Sequence, residues 1–458
     1  MSQTIAAIST PPAPAGLGVI RLSGDEAVAV ASRVFRPGRA GRDLAGLKGK
    51  TVGVSSGSTS ANEEGDIDDC VALVFRAPHS YTGEDVVELS CHGGLYLLRR
   101  VLRAVLAAGA RPAGAGEFTR RAFLNGKLDL TRAEAVMELI AADGRLSART
   151  ALAAREGNLY RRMETVKNEL VGLSAHFSAY VDYPDEDIPA LDEAALDGVL
   201  ARAEESLSSL LATYDAGRVL REGVDTVIVG SPNVGKSTLM NWLAGCERSI
   251  VTPVAGTTRD VVEETVRLGD VVLRLSDTAG IRETNDAVES IGVQRARQRM
   301  EQAALVLAVF DGSRPLSEDD RALAEAAQGA AAIAIVSKAD EETLVDRGFL
   351  AERFPRLVTL SAREGTGLED LIREVAAVTG VERLDGAEPL LATERQRQCA
   401  QRCLEGVREA RAALAGGMTL DAVSVSVDEA IAAVLELTGE RATEAVVDEV
   451  FARFCVGK

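Results

Sequence analysis

The stretch Gly230-Ser231-Pro232-Asn233-Val234-Gly235-Lys236-Ser237 fills every fixed position of G-x-x-x-x-G-K-S/T, and it follows a β-branched run, Val227-Ile228-Val229. That order predicts a buried strand, a tight turn and a helix. The glycines let the backbone bend so that successive N–H groups and the helix N-terminus face an anion. Lys236 is then placed to reach the β and γ oxygens of a nucleotide, and the Ser237 hydroxyl to take one magnesium position. A Gly-rich turn without a ligand gains no packing from the lysine or the hydroxyl, so the pattern reads as a phosphate-binding loop. It does not separate ATP from GTP.

A chain of 458 residues exceeds one hydrophobic core, which predicts two or three domains. With 46% hydrophobic and 26% charged residues it has the composition of a soluble globular protein. No apolar run is long enough to span a bilayer, and Met1 to Ser9 lacks the basic flank and apolar core of a signal peptide, so a cytoplasmic location is expected. The six cysteines form no C-x-x-C pair, which indicates neither a disulfide framework nor a zinc knuckle. Three histidines leave few positions for His-based catalysis, and a formal charge of −18 means that any nucleic acid is held locally or through a partner.

Residues 1–120 read as an α/β unit, with strands at Val19–Ser23, Val71–Phe75 and Val86–Ser90, helices at Asp25–Phe35 and Leu95–Ala107, and a Gly/Ser-rich turn around Ser55–Ser60. Over 121–222 the texture is helical. Thr131-Arg132-Ala133-Glu134 reads as a capping box, and Leu196, Leu200, Leu207 and Leu211 form an apolar stripe of a bundle helix. The acidic Asp185–Asp187 reads as a solvated helix junction. From 223 to 380 strands and helices alternate, which predicts a mostly parallel sheet. Helix returns over 381–458, broken at Gly416-Gly417, with Cys399 and Cys403 as core thiols. The simplest architecture is a multidomain α/β plus all-α chain: an N-terminal α/β domain, a discontinuous helical domain made of 121–222 and 381–458, and an inserted P-loop domain.

Four further segments follow the phosphate loop in the order that a guanine-nucleotide hydrolase requires. Gly256-Thr257-Thr258-Arg259-Asp260 supplies a threonine, Thr258, to complete magnesium coordination when a γ-phosphate is present. Asp277-Thr278-Ala279-Gly280 sets a carboxylate near magnesium and a glycine N–H beside the γ-phosphate. Ser337-Lys338-Ala339-Asp340 offers the Asp340 carboxylate to the ring N–H and exocyclic amine of guanine, a pairing that rejects adenine by roughly 10⁴ or more. Ser361-Ala362-Arg363 gives a backbone N–H to the guanine carbonyl. GTP is therefore the nucleotide expected, with Val234, Gly235 and Thr238 of the phosphate loop also in contact. The fourth segment usually begins with Asn; Ser337, being shorter, makes fewer bonds, which predicts weaker nucleotide affinity with guanine preference intact.

Segments outside these signatures carry a wider resemblance. They are Thr10-Pro11-Pro12, Val19 to Gly24, Tyr81 to Leu89, Glu117 to Leu130 and the terminal Phe454-Cys455-Val456-Gly457-Lys458. Through them the whole chain resembles the MnmE (TrmE) tRNA uridine modification GTPases. Pro11 to Gly16 lacks the usual Gly-Arg-Gly, and Ser90-Cys91-His92-Gly93-Gly94 replaces His-Gly-His-Gly-Gly.

The resemblance implies a cytoplasmic homodimer that hydrolyses GTP while helping to install a carboxymethylaminomethyl-type group on the wobble uridine of certain tRNAs. It implies a FAD-containing partner of the MnmG (GidA) type, FAD being held only there, with tRNA bound mainly through that partner. A tetrahydrofolate derivative, in the 5,10-methylene or 5-formyl form, would supply the one-carbon unit, with Arg21, Glu88, Lys127 and Lys458 in contact and Cys455 nearby as a possible functional thiol. A potassium ion, held by Asn233, Thr252, Val254 and Thr257, would replace an arginine finger, and Glu289 would orient water or act as acid/base, so that the catalytic residues are Glu289, Asn233 and Lys236. The alternative class is a ribosome-assembly switch GTPase without modification activity. It shares the nucleotide signatures but usually carries a basic RNA-binding module. A membrane-associated scaffold would need an anchor or a basic amphipathic face.

Overall fold

The computed structural model describes residues 3–37, 43–46, 53–61, 65–182, 193–246, 264–275 and 300–458. The chain divides into two compact units. One comprises Met1–Met137, Met163–Val171 and Asp428–Lys458, the other Glu138–Arg162 and Gly172–Val427.

The first unit is built on a seven-stranded sheet: β1 (Ile5–Ile8), β2 (Ala15–Ser23), β3 (Phe35–Pro37), β4 (Gly53–Ala61), β5 (Gly65–Phe75), β6 (Val86–Gly93) and β7 (Arg111–Pro112), in the order β3-β4-β5-β6-β2-β1-β7. All neighbours are antiparallel except β1 and β7. Alternation along the strands sends Ala6, Ile20, Leu22 and Leu89 into a core with Val30 of the helix Ala27–Val34 and Val101 of the helix Leu95–Ala107. The opposite face of β1 buries Ile5 and Ala7 with Phe118, from the helix Glu117–Leu124.

Two local expectations are corrected. Residues 55–60 are not a turn but the middle of β4, paired residue by residue with β5 from Gly53↔Val74 to Ala61↔Gly65. Backbone pairing with a strong neighbouring strand overrides the low β-propensity of Gly and Ser. Thr131 is not an N-cap: the helix runs Leu130–Ala141, and the Asp129 carboxylate accepts from the N–H of Arg132 at 3.1 Å, so the cap lies two residues earlier.

The carboxyl-terminal segment completes this unit. Val447, Phe451 and Phe454 pack with Leu130 and Ala133, the Phe451 ring 5.2 Å from that of Phe454. Lys167 Nζ donates to Glu440 at 2.8 Å.

The second unit holds a six-stranded sheet: β8 (Val224–Val229), β9 (Glu264–Leu268), β10 (Val271–Leu275), β11 (Leu305–Asp311), β12 (Ala332–Ser337) and β13 (Leu357–Thr359), in the order β13-β12-β11-β8-β10-β9. Only β9 is antiparallel. Both faces are covered. In β11, Leu305, Leu307 and Val309 enter one core while Val306, Ala308 and Phe310 enter the other, which is why the strand reads as an unbroken apolar run. In the same unit the helices Glu193–Leu211 and Glu394–Ala415 run against each other. Leu196, Leu200, Leu207 and Leu210 are buried, so the stripe shifts from the expected Leu211 by one position. Arg411 fixes the pair by contacts to Asp197 at 2.8 Å and Glu204 at 2.7 Å. Cys399 and Cys403 are buried, and burial pushes the Cys403 thiol up to about 12. The expected junction at Asp185–Asp187 lies outside the described residues.

Candidate nucleotide and folate sites

In the second unit the chain leaves β8 at Gly230, where a Cβ would stand 2.5 Å from the Val309 carbonyl oxygen, so only glycine fits. Asn233 (φ 64°) and Gly235 (φ 98°) adopt left-handed backbone on either side of the fully buried Val234. Alternating hands of this kind turn successive N–H groups toward one concavity. Ser237 and Thr238 open the helix Lys236–Cys246 with exposed side chains. Lys236 turns back across the loop, donating to the carbonyls of Gly230 and Ser231 at 2.8 Å each, and burial lowers its pKa. An anion in the loop would give the ammonium a charged partner in place of two neutral ones.

The segments expected to select guanine end neighbouring strands on the same edge of the sheet. Ser337 closes β12, buried, with its Oγ 2.6 Å from the Val234 carbonyl and 3.0 Å from that of Phe310. Ser337 thus ties this loop directly to the phosphate loop. Lys338 sits in left-handed backbone (φ 57°), and its Nζ meets Asp311 at 2.6 Å. Asp340 Oδ1 accepts from Ser361 Oγ at 2.6 Å, which holds the Asp340 carboxyl below the usual range; Arg363 stands 3.9 Å away. Ser361 is itself pinned by reciprocal backbone bonds with Thr366 at 3.1 Å, and Ala362 and Arg363 follow in the turn. An ionised, acceptor-only carboxylate at this edge matches the two donors of guanine. The phosphate loop, Ser337 to Asp340 and Ser361 to Arg363 therefore gather at the carboxyl ends of β8, β12 and β13, where open α/β sheets bind ligands. Thr252, Val254, Thr257, Thr258, Asp277, Thr278, Ala279, Gly280 and Glu289 lie outside the described residues.

In the first unit Arg21 on β2 stands directly opposite Glu88 on β6 and Ala7 on β1, so all three share the sheet face that carries Phe118. Arg21 Nε donates to Glu88 Oε1 at 2.8 Å, and its guanidinium lies 5.8 Å from the Tyr81 ring centroid and 5.7 Å from that of Phe118. The chain terminus closes on this group. The Gly457 carbonyl accepts from Arg21 Nη1 at 3.3 Å and Ser9 Oγ at 3.1 Å, and the Lys458 carbonyl accepts from the Phe118 N–H at 3.1 Å. Gly457 (φ 100°) has no room for a Cβ, which would stand 2.5 Å from the Ile8 carbonyl. Burial and then Arg21 lower the pKa of Lys458. Lys127 is exposed and bonded to the Pro78 carbonyl at 3.0 Å, three residues from Tyr81. Cys455 is exposed. The structure thus joins Arg21, Glu88 and Lys458 in one cluster, with Lys127 on the flanking loop. Tyr81 and Phe118 were not singled out from sequence as part of it: Tyr81 lies in the bend before β6 and Phe118 in the first turn of a helix, and nothing local joins them.

A family described as "GTP-binding protein TrmE N-terminus" matches residues 4–127, and one described as "MnmE helical domain" matches residues 130–455. The "tRNA modification GTPase MnmE" of Symbiobacterium thermophilum is 42% identical over 459 residues, covering 100% of this chain and 99% of the relative. The chain belongs to the MnmE family. The MnmE of Geobacter sulfurreducens is likewise 42% identical, over 464 residues and 100% of both chains, and that of Natranaerobius thermophilus 39% over 460 residues and 99% of both. These MnmE relatives match the chain along its length. Among the described residues no helix is long and apolar enough to cross a membrane, and no group of three or more His, Cys, Asp or Glu could hold a metal ion.

Proposed function

We propose that this chain is a GTP hydrolase of tRNA modification which, with a FAD-containing MnmG-type partner, helps to install a carboxymethylaminomethyl-type group on the wobble uridine, using a tetrahydrofolate derivative as one-carbon donor. The observation that supports it most is the convergence of the phosphate loop, Ser337–Asp340 and Ser361 on one sheet edge, in a chain whose last residues close over Arg21 and Glu88.

Lys236 and the loop N–H groups bind the phosphates, and Asp340 selects guanine. Ser237 is exposed at the start of its helix and, with Thr258, would hold a magnesium ion, which would neutralise charge on the phosphates. Asn233, Thr252, Val254 and Thr257 would hold a potassium ion, which would supply positive charge against the developing negative charge of phosphoryl transfer. Glu289 orients water. In the first unit the Glu88 carboxylate suits the amino edge of a pterin, and Lys458 and Lys127 suit a glutamate tail. Pairing of two nucleotide domains as a homodimer would complete the potassium site.

Mass analysis of wobble nucleosides from cells lacking this chain is the decisive test. The modified uridine should disappear; its persistence, with the chain found on ribosomal subunits, would select the ribosome-assembly reading. In the purified protein, turnover should be markedly faster in potassium than in sodium. Glu289→Ala should leave GTP affinity intact while slowing hydrolysis, and unchanged turnover would remove Glu289 from the site.

A further inference from the structure

Asp320 is a carboxylate in the first turn of the helix Glu318–Ala326, 1% exposed, with no place in any nucleotide signature. Its Oδ1 accepts from Ser231 Oγ of the phosphate loop at 2.6 Å. Its Oδ2 accepts from the N–H of Ser317 at 3.0 Å, from Ser317 Oγ at 2.8 Å and from Arg314 Nη1 at 2.8 Å. The same guanidinium lies 3.9 Å, through Nε, from Oδ2 of Asp311, the last residue of β11. Asp311, also buried, takes Lys338 Nζ at 2.6 Å on that oxygen and the N–H and Oγ of Ser313 on the other. A continuous polar chain thus runs from Ser231 through Asp320, Arg314 and Asp311 to Lys338.

We infer that this chain is a brace that holds the phosphate loop and the guanine-selecting loop in register before nucleotide arrives, with Asp320, Arg314 and Asp311 as positioning residues for GTP binding.

Three features argue for a brace over incidental surface pairing. Both carboxylates are buried, so an unpaired donor or acceptor left by loss of a partner is costly, whereas exposed ion pairs contribute little. Burial alone would raise both carboxyl pKa values. The donors around them, Ser231, Ser317 and Arg314 at one and Lys338 and Ser313 at the other, hold both below the usual range, so both are ionised at neutral pH. Finally, the ends of the chain are the positions that need holding. Lys338 occupies left-handed backbone, which a non-glycine residue keeps only when its surroundings fix it, and Ser231 precedes the left-handed Asn233. The bond from Ser337 to the Val234 carbonyl links the same two loops directly; the brace links them by a second route that avoids the nucleotide's own contacts. A preordered site loses less entropy on binding.

This rests on the GTP-binding reading, and the test separates the two. The full-length chain, Ser231→Ala, Arg314→Met and the double variant are titrated with a fluorescent GDP analogue in magnesium buffer, and steady-state GTP hydrolysis is measured for each. Arg314 touches no nucleotide in the proposed site. Each single variant should bind roughly tenfold more weakly, the effect of one hydrogen bond to a charged group, and should raise KM with kcat at saturation changed less than about twofold. The double variant should be within about threefold of the weaker single, because both cuts sever one chain. Unchanged affinity in Arg314→Met, a multiplicative loss in the double variant, or a loss in kcat with KM unchanged would overturn the brace. If Arg314→Met does not fold, Asp311→Asn, an isosteric change at the far end, replaces it in the same cycle with the same outcomes. A wild-type chain with no affinity for the GDP analogue overturns the nucleotide reading and the brace with it, a result distinct from wild-type binding that the variants leave untouched.

Discussion

A residue's chemistry is legible in sequence when a fixed backbone device accompanies it. The place of Lys236 and Ser237 at a strand-to-helix turn was readable because the glycines around them admit few geometries, and Asp340 follows shortly after the end of β12. Asp320 was not. Ser317-x-x-Asp320 announces a helix start, and the structure has that capping box, but nothing in the sequence joins Asp320 to Ser231, 89 positions away. Ser337 shows the same limit, since its bond to Val234 depends on how closely two loops approach. Asp320 also sets an acid response. Its folded-state pKa lies below the unfolded value of about 3.9, so its stabilising contribution is complete above about pH 4 and is lost as pH falls through the folded value. Unfolding followed through Trp242, the single tryptophan, which packs on the core of the nucleotide-binding sheet, should show stability flat from pH 7 to 5 and falling below about 4. Asp320→Asn should begin lower but fall less steeply; an equal slope would show that Asp320 does not carry the response.

For elements, periodicity served best where one rule dominated. The strands β11 and β12 are apolar on both faces, and their runs belong to the alternation over 223–380 that predicts a mostly parallel sheet. The strand β4 was missed because Gly and Ser signal turns locally, while its pairing with β5 is a tertiary fact. The helix Leu130–Ala141 was found but its start misplaced, because Thr131 and Asp129 both offer cap chemistry and only the bond from Arg132 N–H to Asp129 decides between them. Asp129→Ala should therefore destabilise the first unit by about 1 kcal/mol, while Thr131→Val, which removes a hydroxyl inside the first turn, should cost less. Chemical denaturation of the two variants gives the comparison, and a reversed order would return the cap to Thr131. The helix also carries Leu130 and Ala133 into the cluster with Phe451 and Phe454, so a frayed start loosens the segment that brings the terminus to Arg21.

At the scale of the molecule the chain's two ends belong to one unit and the nucleotide site to the other. Composition and alternation suggested separate bodies, but no local signal could say that residues 454–458 return to the first sheet. That follows from close packing: Gly457 lets the backbone pass where an added Cβ would stand 2.5 Å from the Ile8 carbonyl oxygen. The division makes a separable prediction. Deleting residues 455–458 removes the acceptors of the Phe118 N–H and Arg21 Nη1 together with the Lys458 ammonium, while every described contact of the phosphate loop remains. The truncated chain should lose retention of a reduced folate by at least tenfold, as loss of a charged partner and its hydrogen bonds implies, and keep GDP affinity within about twofold. If folate retention were unchanged, the terminal residues would be structural only, and the Arg21–Glu88 pair would be an ordinary cross-strand ion pair. If GDP affinity fell in parallel, the two sites would share a folding unit, and the brace around Asp320 could not be the main determinant of order in the nucleotide site.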